Sequence, residues 1–138
     1  MFRLFAATNR RVSRALTEES DEVIPKLKSL VSADLEVGRI PPAPDDCRVL
    51  IEAEIGPADS EGADVFSFEV CTPKAFERDS GATWLKGTLL VESFDWKTVE
   101  QALQQYIMQC AGESWDEIAS KLSRQLDWEF EDYQESIS

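Results

Sequence analysis

The chain carries 27 Asp and Glu but no His. Lacking His, it lacks the commonest general base and the commonest metal ligand, and any Ser-His-Asp or Cys-His arrangement is excluded with them. The three cysteines, Cys47, Cys71 and Cys110, have no CxxC or zinc-type spacing. Two of them fall in apolar-periodic segments, where a thiol packs as a small hydrophobe. Cys71 is the one candidate nucleophile. A reactive thiolate needs a neighbouring base or cation, and only Lys74 is near in sequence, so a core thiol is the favoured reading. No glycine-rich phosphate loop is present. Carboxylates are so abundant that no one pair stands out as an acid–base couple. No cofactor or metal is implied, and recognition is the chemistry that remains.

The carboxylates best placed for recognition are Asp116, Asp127, Glu129, Glu131 and Asp132. Asp116 and Glu117 sit where a helix would begin, and negative charge suits that end of the helix dipole. Ser114 with Glu117 forms a capping-box pattern, which accounts for Glu117 without a partner. Capping does not account for the four acids between positions 127 and 132. There, Trp128-Glu129-Phe130-Glu131-Asp132-Tyr133 alternates aromatics with acids, and a strand would turn Trp128 and Phe130 one way and Glu129 and Glu131 the other. Those acids either blunt an exposed sheet edge or meet a partner. Trp96, Trp115 and Trp128 are spaced as core anchors. Trp84 follows Gly81-Ala82-Thr83 in a loop and, with Tyr133, is a better interface candidate.

Charge sharpens this reading. The net charge is −13, and it is unevenly spread. Residues 1–16 hold four Arg and no acid, which leaves ten basic and 27 acidic residues in the rest. Such a field repels nucleic acid and anionic lipid and draws basic partners inward. No apolar run is long enough for a membrane span. An odd number of cysteines and no secretory h-region fit a cytoplasmic, reducing setting. Oligomeric state is not readable from the residues.

At 138 residues the chain has the length of a single domain, burying about 68% of its unfolded surface. Residues 1–25 form an N-terminal extension, and residues 26–138 one α+β domain. Residues 1–23 are expected to be dispensable for folding. Strands are expected at 26–31, 47–55, 63–71 and 85–92. Cys47, Val49, Ile51, Ala53 and Ile55 face inward, with Arg48, Glu52 and Glu54 outward. Phe66, Phe68 and Val70 face inward in the next strand, joined to the first by a polar turn. Thr72 caps a brief turn that starts at Pro73. Asp95 caps a helix with a stripe of Val99, Leu103, Tyr106, Ile107 and Cys110, and Gly112 is placed for a left-handed cap at its end. A second helix buries Trp115, Ile118, Ala119 and Leu122, and residues 126–130 return as a last strand. The fold expected is α+β: an antiparallel sheet with two consecutive helices packed on one face.

The segments FEVCTP, LLVESFDW, GESWDEIASKL and WEFEDY, in that order, resemble the immunity protein 8 family of bacterial polymorphic-toxin systems, over about residues 26–133. The resemblance implies a small protein that binds and neutralises one cognate toxin domain and is not itself an enzyme. Acidic charge then suits a basic toxin such as a nuclease, whose active site the carboxylates would occlude. Two rivals remain: an acidic nucleic-acid mimic or regulatory module with another basic partner, and a carboxylate-dependent hydrolase. A pocket holding two close carboxylates would favour the hydrolase.

Overall fold

A computed structural model of the protein describes residues 22–79 and 83–129. Among the described residues five strands form one sheet: β1 (Pro25–Val31), β2 (Arg48–Pro57), β3 (Asp64–Cys71), β4 (Thr88–Leu90) and β5 (Asp127–Trp128). Helix α1 (Pro73–Arg78) follows β3, and α2 (Trp96–Met108) and α3 (Trp115–Leu122) lie between β4 and β5. The strand order is β1-β2-β3-β4, with β5 also paired to β3. This is the α+β class that the residue pattern predicts.

The β2–β3 hairpin is the spine. It runs in unbroken antiparallel register from Arg48 opposite Cys71 to Ile55 opposite Asp64. The alternation expected of β2 holds: Val49, Ile51, Ala53 and Ile55 are buried, while Arg48, Leu50, Glu52 and Glu54 are exposed. Phe66, Phe68 and Val70 join the buried side from β3. On that side lie the apolar stripes of α2 (Val99, Leu103, Ile107) and α3 (Ile118, Ala119, Leu122). Each such side chain taken from water contributes about 1.5–3 kcal/mol, offset by chain entropy. At the hairpin turn, a Cβ on Gly56 would lie 2.0 Å from the Gly62 carbonyl oxygen, so only glycine fits this close backbone approach.

Four details depart from the sequence-based expectation. The sheet is mixed, because β4 pairs with β3 in parallel through Glu69–Thr88, Val70–Leu89 and Cys71–Leu90. Strand β4 is also only three residues long. Gly87, at φ +77°, turns the chain just before it, so the strand cannot start at 85. The turn at Pro73 is a six-residue helix, capped as expected by Thr72 through a bond from the Ala75 N–H. The left-handed cap expected at Gly112 is not formed. Helix α2 ends at Met108, with Gln109 as a right-handed cap. Gly112 instead pairs with Val23 as an isolated bridge. A Cβ there would sit 2.8 Å from the Glu117 carboxyl carbon, so a larger residue would push that carboxylate aside.

Glu117 explains that crowding. Ser114 Oγ accepts from the Glu117 N–H at 3.1 Å, and Glu117 Oε1 accepts from the Glu113 N–H at 2.9 Å, one residue earlier than an ideal box. The Glu113 N–H and the Lys121 ammonium, 3.2 Å away, hold the Glu117 carboxyl below its ordinary range. This contribution to the cap is therefore present above the usual carboxylate pKa and is lost as pH falls through the lowered value.

The bridge at Val23 ties that residue to the body, through its N–H at 2.6 Å from Gly112 O. Deletion of residues 1–21, which keeps this bridge, is expected to leave the thermal midpoint within a few degrees, roughly the effect of 1 kcal/mol. A loss of cooperative melting on truncation would show instead that the arginine-rich segment packs against the acidic body.

Candidate functional site

The thiols come first, as the only nucleophile candidates. Cys71 and Cys110 are buried, and removal from water pushes both thiols above their ordinary pKa. Cys47 is half-buried and raised for the same leading reason. The one cation near Cys71 in sequence, Lys74, lies 2.9 Å from Asp45. At Cys71 burial outweighs Arg48, opposite it in the sheet, and Arg78, which draw its pKa down, and none of these thiols has the exposed setting of a reactive cysteine. Among the described residues no group of three or more His, Cys, Asp or Glu is placed to hold a metal ion. An apolar cleft lined by Phe68, Leu89, Leu103, Tyr106 and Leu126 contains no carboxylate. There burial pushes the Tyr106 phenol up to about 12, and its hydroxyl donates to Lys121 O at 2.6 Å. A second cleft, between residues 30–38 and α2, has Glu100 as its one carboxylate. Neither cleft offers the close pair a hydrolase needs.

The recognition residues are placed by β5. Asp127 is opposite Ser67 and Trp128 opposite Phe66. Trp128 therefore turns inward, where its ring stacks on Phe66 at 6.2 Å, and Asp127 turns to the solvent side with Ser67. Glu129 continues the pairing: its N–H donates to Val65 O at 3.1 Å, and its Oε1 accepts from the Val65 N–H at 2.8 Å. The Glu129 carboxylate thus satisfies an edge donor of β3, the edge-blunting role considered for it, and is exposed as well. Phe130, Glu131, Asp132 and Tyr133 lie outside the described residues.

Asp116 is exposed in the first turn of α3. Its neighbour Trp115 donates its indole N–H to Asp64 Oδ2 at 2.8 Å. The Trp128 indole donates to the same oxygen at 3.2 Å. Asp64, which the sequence did not single out, therefore ties the start of α3 to β5. Trp84 is 98% exposed, in the coil that leads into β4. Gly87, at the end of that coil, lies against the Asp127 carboxylate, since a Cβ there would be 3.2 Å from Oδ2. The structure so brings the Trp84 coil, Asp127 and Glu129 to one edge of β3, and sets Asp116 on the helix layer.

The same register joins Glu52 and Glu54, read as outward from the sequence, to residues that the sequence did not single out. Val31, Glu52, Ser67 and Asp127 form one row across four strands. Ser29, Glu54 and Val65 form the next, and Leu50, Glu69 and Thr88 another. These rows occupy the face turned away from α2 and α3. Alternation marked Glu52 and Glu54 as outward, but long-range pairing alone shows that they share a face with Asp127.

The family model described as Immunity protein 8 matches residues 25–133. Among curated proteins and solved structures, none matches the chain. Among the described residues no helix is long and apolar enough to cross a membrane.

Proposed function

The chain belongs to the immunity protein 8 family, and from that premise we propose that it binds one cognate toxin domain in the cytoplasm and blocks the toxin's active site. The family match across residues 25–133 carries this reading. Immunity implies a toxin as partner. The charge of −13 supports a basic toxin, and a nuclease is the basic class whose phosphate-binding site carboxylates would fill. Opposite charge also speeds association, which counts when few toxin molecules are lethal. Asp127, Glu129 and Trp84, at the β3 edge, would meet the toxin; Glu131, Asp132 and Tyr133, and Asp116 on the helix layer, are the further candidates for contact. The protein acts by binding, without metal or cofactor.

Co-expression with its cognate toxin domain is expected to restore growth of a sensitive strain. The purified protein should silence that domain at about one-to-one stoichiometry, with or without EDTA. Protection lost in EDTA and restored by zinc would overturn the metal-free mechanism. Absence of protection would overturn the immunity role. The second reading, an acidic module that mimics nucleic acid or regulates another basic partner, rests on the same charge; it requires binding without protection.

A further inference from the structure

We propose that the face of the sheet that no described helix covers, centred on Leu50 and Glu52, is the surface on which a lysine- and arginine-rich face of the toxin docks; this rests on the immunity reading. One side of the β2–β3 hairpin is sealed by α2 and α3. The other side carries Glu52, Glu54, Glu69 and, from β5, Asp127, with Glu129 at the edge. Against these acids stand Arg48, whose guanidinium is already engaged by Glu69 and Asp79, each at 2.7 Å, and the exposed Lys26, opposite Gly56 at the far end of the face. Glu54 takes a hydrogen bond from Ser29 at 3.0 Å, which leaves its charge uncompensated.

That charge pattern fixes the chemistry of the occupant. Burying carboxylates without cations is costly, so a partner that covers this face must bring Lys or Arg. Nucleic acid and anionic lipid are repelled. A second copy of the chain would set the same acids against each other. Leu50 and Val31, 43% and 44% exposed, lie among the carboxylates and supply the apolar centre that a specific interface surrounds with polar groups. The β5 and Trp84 residues become one rim of this surface.

The test uses the full-length protein and its purified cognate toxin domain, with association and dissociation followed at low and high salt. Glu52→Gln with Glu54→Gln should slow association by about tenfold at low salt, with the difference shrinking at high salt. Both side chains are exposed, so the melting midpoint should hold. Leu50→Ala should speed dissociation instead. Wild-type binding with unchanged rates in both variants overturns the proposal. If Glu129→Gln with Glu131→Gln alone slows association, the interface is the C-terminal edge and the sheet face is not its centre. Wild-type protein that neither binds nor protects overturns the immunity reading itself, a result distinguishable from failure of the surface.

Discussion

Phe66→Ala should leave much of the protein unfolded at moderate temperature. Phe66 is fully buried and is among the largest side chains to be so. Its ring stacks on Trp128 with an interplanar angle of 13°, and it meets Trp115 edge-on at 6.5 Å and 75°. Truncation removes the transfer energy of a ring and leaves a void between strand and helix, at a cost of about 3–5 kcal/mol. The two aromatic pairs are lost with it, at about 0.5–1.5 kcal/mol each where fully expressed. A small domain has a net stability of about 5–15 kcal/mol, so this one change removes a large share. Urea denaturation monitored by circular dichroism should show the midpoint fall sharply with the slope retained. A loss below about 1 kcal/mol, the range of an ordinary substitution, would mean that Phe66 does not hold β5 and α3 to the sheet.

The same triad marks where sequence reading succeeds and where it stops. Phe66, Phe68 and Val70 are legible as inward because a strand has period two, and Val99, Leu103 and Ile107 because a helix has period 3.6. Caps at Thr72, Asp95 and Ser114 are legible because each is a local side-chain-to-backbone bond. The parallel β4 is not, since it depends on a crossover from β3 through residues 72–87, and three residues carry little pattern. Gly112 misleads for a related reason: a glycine after a helix signals a left-handed cap, but this one answers to Glu117 five residues on. At the candidate site, the acids at 127 and 129 could be read from their alternation with Trp128. That Asp127 joins a row with Glu52 and Val31 follows from three pairings, 21, 15 and 60 residues apart in the chain, which local spacing does not encode.

Asp64 is the test of how the core positions that row. One carboxylate oxygen accepts from both Trp115 and Trp128, and its residue precedes Val65, to which Glu129 is bonded twice. Asp64→Ala leaves two indole donors without their charged acceptor. Bonds to charged groups are worth about 1.5–3 kcal/mol each. Both rings are half-buried, so water takes up part of the loss, and a net cost of about 2–4 kcal/mol is expected. Asp64→Asn keeps an oxygen that can accept and should lose less than half as much. The functional consequence separates from the structural one. With Trp128 released, Asp127 and Glu129 no longer sit on a fixed strand, so toxin dissociation should quicken in Asp64→Ala even at temperatures where the variant is folded. Measured side by side, Asn should restore most of both the stability and the residence time. Equal effects of Ala and Asn would show that the charge of Asp64, not its role as a shared acceptor, holds the edge in place.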